Sequence, residues 1–200
     1  MSLSITLLLI IATGLVSVMA FQRPELKGAL SFSPYAVQHR GQWYRLFSHA
    51  LIHADWPHLG LNMFVLFSFG SVLERELPGL SALPANVLFL ALYLGGALFA
   101  SLPGMAKYRN DPRYSSLGAS GAVAAVLFAM IVIRPLDSIW LFGIVPLPAV
   151  LFGGLYLYYS YAMDKRGGTR VAHDAHLYGA IYGVLFTIAM DPDLVLRWFQ

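Results

Sequence analysis

The chain has 200 residues, of which 58% are hydrophobic and 12% charged, and it contains no cysteine. A soluble domain is about 25% charged, so half the usual charge is missing, and this composition excludes a chain that is disordered in water. The lack of cysteine excludes a disulfide framework, and a net charge of +3 is too small for a nucleic-acid-binding surface. The composition favours an integral membrane protein of about six spans over a soluble domain.

Uncharged segments separated by charges and prolines predict six transmembrane helices. About 20 apolar residues at a rise of ~1.5 Å cross the ~30 Å hydrocarbon core of a bilayer. The predicted spans are 3–21, 58–77, 84–102, 117–133, 149–163 and 175–190. The last three are short, which predicts tilted helices or helices that start inside the membrane under cover of other protein. We therefore predict an all-α polytopic bundle that forms a single domain over residues 1–200.

Two segments at the N-terminal end have alternative interpretations. Residues 3–21 resemble a signal peptide, with Val18-Met19-Ala20 as a cleavage site, but they lack a basic start and are long for one. An uncleaved span is favoured. The one long connection, Gln22–Pro57, is rich in aromatic residues and histidine, and loops of that length are usually functional or disordered.

Small residues mark close helix contacts in membranes, because apolar side chains gain little from leaving lipid. The fourth predicted helix carries Gly121, Ala125 and Ala129 at four-residue spacing, and the sixth carries Gly179 and Gly183. Packing of these two faces against each other is therefore predicted.

That packing would place a serine and a histidine at the same membrane depth. Ser120 and His176 lie near the starts of helices that run in the same direction, so a hydroxyl–imidazole hydrogen bond becomes possible. Such a pair is the minimum for a serine nucleophile and its base. Either residue alone has an ordinary explanation, since serine often bonds a helix carbonyl and a lone histidine is usually structural.

A second pair of polar residues opens the second helix. His58 and Asn62 are four residues apart and share one helical face, with Asn62 a turn inside an apolar span. Polar groups there are costly, so a functional site is the default hypothesis. Two neutral donors beside a serine could bind an oxyanion, and the alternative is that they hold helices together.

Five short motifs occur in order along the chain: Tyr44-Arg45, His58-x-x-x-Asn62, Glu74-Arg75, Gly118-Ala119-Ser120-Gly121 and Ala175-His176-x-x-Gly179-x-x-x-Gly183. Together they resemble the rhomboid family of intramembrane serine proteases, in its minimal six-helix bacterial form. The resemblance implies a compact bundle of six helices in the bacterial inner membrane that cleaves transmembrane protein substrates within the lipid bilayer. It implies no cofactor, no metal and no nucleic-acid partner.

The resemblance also implies residue roles. Ser120 would be the nucleophile and His176 the base, with Asn62, His58 and the backbone N–H of Ser120 as the oxyanion hole. Supporting roles would fall to Gly118, Gly121, Gly179, Gly183, Arg45 and His53. Asp174 precedes His176 by two residues, about 200° around a helix, so a dyad is expected rather than a triad.

Two positions depart from the family pattern. Tyr44 stands where the family usually has tryptophan, with Trp43 just before it, and Ala124 stands where an aromatic ring often stacks on the catalytic imidazole. The imidazole would then be held by Tyr178 or Tyr182.

Other functions remain open at this level. The HExxH motif of zinc proteases is absent, as are carboxylates deep in the spans that an aspartyl protease needs. A catalytically inactive rhomboid-like protein that binds membrane clients is one alternative. Haem binding is another, with candidate ligands His49, His53, His58, His173 and His176. If the chain is a protease, either the fifth helix, which contains Gly153-Gly154, or the segment at Gly167-Gly168 could admit the substrate.

The basic residues conflict with the family's orientation. Of the 13 Lys and Arg, only Arg75, Arg134 and Arg197 fall on the side of the predicted N-terminus, and the other ten fall opposite. The positive-inside rule would put those ten, and the site, in the cytoplasm. The resemblance implies the reverse, with both termini in the cytoplasm and the site opening outward, and we expect that orientation.

Overall fold

A computed structural model describes residues 4–141, 144–166 and 173–199 as a helical bundle with one small β-hairpin. Its α-helices are α1 Ile5–Gln22, α2 Pro24–Leu30, α3 Pro34–Arg40, α4 Arg45–Ser48, α5 Trp56–Val65, α6 Ser71–Glu76, α7 Ala85–Tyr108, α8 Ser120–Ile133, α9 Ala149–Arg166 and α10 His173–Met190. A π-helical turn, Leu66–Gly70, joins α5 to α6, and short 3-10 helices cover His49–Leu51, Leu77–Gly79, Pro192–Leu194 and Leu196–Phe199.

Three helices in the described part of the chain are long and apolar enough to cross a bilayer. They are α1, the continuous helix Trp56–Gly79 and α7. A fourth candidate is α10 together with the C-terminal residues up to Trp198, bent by 100°. This count is consistent with a helical membrane fold, and six spans remains a prediction.

Helix α8 is the core of the bundle. Every residue from Gly121 to Val132 is buried, and a helix that is apolar all round belongs inside a protein. It packs against α7 and α10. Its 14 residues span ~21 Å, about 9 Å less than the hydrocarbon core of a bilayer.

The predicted end of the third span at residue 102 was wrong, because α7 continues through Pro103 to Tyr108. Proline removes one helical hydrogen bond, and packing by neighbouring segments offsets that loss. The ring of Phe32 lies against Gly104, and Lys107 pairs with Asp174 over 2.9 Å.

The connection from α8 to α9 departs from an all-α fold because it contains two paired strands. Strands β1 Ser138–Leu141 and β2 Val145–Pro148 pair antiparallel, with Ser138 opposite Pro148 and Leu141 opposite Val145. Pro146 and Pro148 lie in β2, where an edge strand tolerates proline, and both are exposed. The Gly167-Gly168 segment lies outside the described residues.

The long connection between α1 and α5 folds into α2, α3 and α4. Proline starts both α2 and α3, and Gly41, with φ of 65°, ends α3 in the left-handed conformation that glycine favours. Arg45 holds these short helices together, because its Nη1 donates to the carbonyls of Gly28 at 2.7 Å and Ser31 at 2.6 Å.

Candidate active site

The hydroxyl of Ser120 and the imidazole of His176 are hydrogen-bonded. Oγ of Ser120 lies 2.7 Å from Nε2 of His176, although the two residues are 56 positions apart. Ser120 is the first residue of α8, and His176 lies in the first turn of α10. Both side chains are part-buried, so their hydrogen bond is only partly open to competition from water.

Glycines bring the two helices close enough for that bond. A Cβ on Gly179 would collide with the backbone of Gly121, and one on Gly183 would collide with the backbone of Ala125. Helices α8 and α10 therefore touch backbone to backbone. The predicted packing of the two small-residue faces is confirmed.

The turn before the serine requires glycine at residue 118. Gly118 has φ of 121°, a conformation that side chains with a Cβ rarely adopt. The ring of His58 also fills the space where a Cβ would lie, with its Cε1 2.7 Å from that position. The N–H of Gly118 donates to the carbonyl of His49 at 2.9 Å, which ties the turn to the first loop.

His53 holds the next residue of the turn. The N–H of Ala119 donates to its Nε2 at 3.3 Å, while its Nδ1 lies 3.0 Å from Oγ of Ser17. Because Ser17 gives its own proton to the carbonyl of Leu51, Nδ1 of His53 must be the protonated nitrogen. The ring is therefore neutral with an acceptor at Nε2, and burial lowers the pKa of His53 to about 3.

His49 forms a second histidine–serine pair. Its Nε2 lies 3.1 Å from Oγ of Ser101, which donates to the carbonyl of Ala97 and so accepts from the ring. Burial lowers the pKa of His49 to about 4. Because Ser101 lies in the middle of α7, its N–H is used within the helix and cannot bind an oxyanion. The pair of His49 and Ser101 therefore lacks the unused backbone N–H that Ser120 has at the start of its helix.

Ser120 differs because its helix begins there. The N–H of the first helical residue has no acceptor within the helix, and the helix dipole is positive at this end. Both features favour negative charge beside Oγ of Ser120. This is the arrangement that an attacking alkoxide and an oxyanion require.

The two other predicted oxyanion donors lie on α5. Asn62 is buried, and its Nδ2 donates one proton to the carbonyl of His58 at 2.9 Å. The ring of His58 covers Gly118 and meets the ring of His53 edge-on, with centroids 4.9 Å apart. The ring of His58 thus covers a residue that lies two positions before Ser120. Asn62 lies one helical turn after His58 on α5.

The ring beside the imidazole of His176 comes from an unexpected helix. Tyr156 of α9 lies at a centroid distance of 6.1 Å and an angle of 22°. The expectation that Tyr182 holds the imidazole was wrong, since its hydroxyl donates to the carbonyl of Ala91 and its ring packs on Phe99. Tyr178 follows His176 by two residues and points to the other side of the helix. Nothing in the sequence distinguishes Tyr156 from the other tyrosines of α9.

The carboxylate of Asp174 is engaged elsewhere. Oδ2 accepts from Lys107 at 2.9 Å, and Oδ1 accepts from the N–H of Ala175 at 2.8 Å. These bonds fix the start of α10 to the end of α7. Sequence reasoning missed Lys107 and Ser17, since neither belongs to any of the motifs.

Within the described residues, no three of the side chains His, Asp and Glu are grouped so that they could hold a metal ion. Three of the candidate haem ligands already use a ring nitrogen in a protein hydrogen bond: His49, His53 and His176. In the described part of the chain, these three histidines therefore bond to other protein groups.

Comparison with known proteins identifies the family of this chain. The Rhomboid domain family matches residues 40–192. RHOMBOID-like protein 12, mitochondrial, of Arabidopsis thaliana is 31% identical over 151 residues, covering 70% of this chain and 44% of that protein. Rhomboid protein 1, mitochondrial, of Saccharomyces cerevisiae is 33% identical over 144 residues, covering 68% and 39%.

A bacterial relative carries an activity in its name. Rhomboid protease GluP of Bacillus subtilis is 32% identical over 92 residues, covering 46% of this chain and 16% of that protein. The chain spans about half the length, or less, of these curated relatives. With its apolar helices and the family match over residues 40–192, this chain is an integral membrane protein that belongs to the rhomboid family.

Proposed function

We propose that this chain is a rhomboid-type serine endopeptidase that cleaves transmembrane segments with a dyad of Ser120 and His176. The observation that carries the proposal is the 2.7 Å hydrogen bond between the two side chains at the start of a buried helix. Residues 1–200 would act as one transmembrane domain, and its site would lie in a bacterial inner membrane. The name of the Bacillus subtilis relative supports proteolysis as the activity.

In the first half of the reaction, His176 accepts the proton of Ser120 as Oγ attacks a peptide carbonyl. The resulting oxyanion is stabilised by the N–H of Ser120 and by the side chains of Asn62 and His58. Loss of one such donor typically costs ~10²–10³-fold in rate. Asn62 keeps one amide proton for this role, because the other is given to the carbonyl of His58.

In the second half, His176 returns the proton to the leaving amine, and the acyl-enzyme forms on Oγ of Ser120. Water then attacks the ester with His176 again as base, which releases the second product and restores the serine. Proton transfer by a positioned base contributes ~10²–10⁴-fold. Tyr156 would limit rotation of the imidazole through both halves.

The substrate would reach the serine from the lipid. A transmembrane helix has its backbone bonded internally, so cleavage requires a stretch that unwinds, such as one with small or helix-breaking residues. Helix α9 carries the ring beside His176 and packs on α8 through Phe128 and Tyr156. Its movement would both open a lateral path and release the imidazole, which makes α9 the proposed gate.

A fluorophosphonate probe tests the proposal directly, because it reacts only with an activated serine. Detergent-purified protein should be labelled at Ser120, and both Ser120→Ala and His176→Ala should reduce labelling at least ~10²-fold. Ser101→Ala is the matched control, since it removes the other histidine-bonded serine and should leave labelling intact.

Two outcomes would contradict proteolysis. One is the absence of labelling in protein that elutes as a folded species, and the other is equal labelling of the Ser120→Ala variant. Either result, combined with retention of a transmembrane peptide on the protein, would favour a client-binding rhomboid-like protein without activity.

A further inference from the structure

A basic cavity lies between the first loop and the segment that leads to the active site. It has a volume of about 250 Å³ and is lined by seven residues of the loop between Gly28 and Arg45 and by residues 112–115. Three arginines line it, Arg40, Arg45 and Arg113. Arg113 pairs over 3.5 Å with Asp111, which is not part of the lining, whereas Arg40 and Arg45 form no ion pair among the described residues. The cavity thus concentrates positive charge.

Arg45 is the deepest of the three. Only 9% of it is exposed, and its Nε and Nη1 donate to neutral acceptors: Oε1 of Gln42 at 2.6 Å and two backbone carbonyls. It forms no ion pair with any carboxylate in the described ranges 4–141, 144–166 and 173–199. A buried cation is costly without a counter-charge, so an anion in the cavity would offset that cost.

The walls of the cavity are held together without a ligand. Phe32 and Ser116 exchange two backbone hydrogen bonds, at 2.9 and 3.1 Å, and His39 bonds Oδ1 of Asn110 over 3.2 Å. An anion that binds in the cavity therefore does not have to assemble its walls, which lowers the entropic cost of binding.

The position of the cavity relates it to the membrane surface. Helices α1 and α7 run in the same direction and end at Gln22 and Tyr108, so these residues mark one face of the bilayer. The cavity walls begin a few residues beyond both ends. Beside Arg45, the exposed side chains of Trp43 and Tyr44 are of the amphipathic aromatic type that collects at the headgroup level.

We propose that this cavity binds the phosphate of an anionic phospholipid from the surrounding leaflet. Arginine matches phosphate geometry through paired N–H donors. The acyl chains would run down beside the exposed aromatic residues. Because Ser115 lines the cavity and lies five residues before Ser120, an occupied cavity would also brace the turn that carries the serine.

Native mass spectrometry of the detergent-purified full chain tests this proposal independently of proteolysis. Phosphatidylglycerol should bind as a discrete adduct, and phosphatidylcholine, which has no net charge, should bind more weakly. The variant Arg40→Gln/Arg113→Gln should weaken phosphatidylglycerol binding about 30-fold, or about 5-fold per arginine removed. The side chains of Arg40 and Arg113 are exposed. Arg45 is left unsubstituted, because it also holds the loop together.

Arg75→Gln is the control, because Arg75 is exposed and lies on the opposite side of the bundle. The proposal is overturned if Arg75→Gln weakens binding as much as the double variant does, or if the double variant binds like the parent. Displacement of phosphatidylglycerol by inorganic phosphate at similar concentration would assign the cavity to a soluble anion and overturn the lipid assignment.

Discussion

Nε2 of His53 accepts a hydrogen bond from the backbone N–H of Ala119, the residue immediately before Ser120. The serine is thus positioned from the first loop as well as from its own helix. Ser17 of α1 orients the imidazole from its other side, so three segments distant in sequence converge on one peptide group. This bond makes the loop part of the site.

His53→Ala should slow fluorophosphonate labelling of Ser120 by about 10- to 100-fold, because a small displacement of a reacting group has effects of that size. The buried N–H of Ala119 loses its acceptor, which should lower the free energy of unfolding by ~1–3 kcal/mol. His39→Ala is the control, since that ring is exposed and contacts Asn110 and Tyr35 rather than the turn before Ser120. Unchanged labelling of His53→Ala would show that the bond does not position the serine.

Stability should fall as the pH falls below about 6.5. His49 and His53 lie outside the spanning helices, and burial lowers the pKa of His49 to about 4 and that of His53 to about 3, from 6.5 in an unfolded chain. Between these values the unfolded state binds more protons than the folded state, so acid favours unfolding. The loss is at most ~1.4 kcal/mol per pH unit for each histidine.

Thermal unfolding in detergent, measured at a series of pH values, checks this sign. The midpoint should decrease steadily from about pH 6.5 to about pH 4. His53→Ala should have a lower midpoint at neutral pH and a shallower decrease. A midpoint that rises with acid would contradict the assignment of a neutral His53.

The contact between α8 and α10 should not tolerate an added methyl group. Gly179→Ala places a Cβ against the backbone of Gly121, and overpacking of this kind costs ~1–3 kcal/mol. The helices should separate and labelling of Ser120 should fall. Gly14→Ala in α1 is the matched control, because a Cβ there meets nothing within 4 Å and alanine favours a helix. Equal midpoints for the two variants would refute the backbone contact.

The ring of Tyr156 should matter more than its hydroxyl. Tyr156→Ala removes the ring beside His176 and should slow labelling about 2- to 10-fold, the size expected for one aromatic pair. Tyr156→Phe keeps the ring and should label at close to the parent rate. If both variants slow the reaction equally, the hydroxyl rather than the ring supports the imidazole.

The orientation of the chain can be read by cysteine labelling, since the native sequence has no cysteine. We expect Asn110→Cys to react with a membrane-impermeant maleimide added outside intact cells, and Leu136→Cys to react only after lysis. Both positions are exposed, so protection reports the membrane rather than burial. The opposite pattern would favour the positive-inside rule over the family orientation.

The sequence by itself determined the local features of this protein. Runs of apolar residues predicted helices near 3–21, 58–77 and 117–133, because in lipid the backbone must bond within its own segment. The structure has helices at 5–22, 56–79 and 120–133. The small residues at Gly121, Gly179 and Gly183 predicted which faces touch, since only glycine allows backbone contact. From these two features the approach of Ser120 to His176 follows.

Only the tertiary structure decided which distant groups complete the site. Tyr156, rather than Tyr182, lies beside the imidazole, because α9 packs on α8 through the rings of Tyr156 and Phe128. The α7 helix passes Pro103 because packing from Phe32 offsets the missing hydrogen bond. The tautomer of His53 likewise depends on Ser17, a contact across 36 residues. Local propensity carries no information on such contacts, since each depends on how separate segments pack.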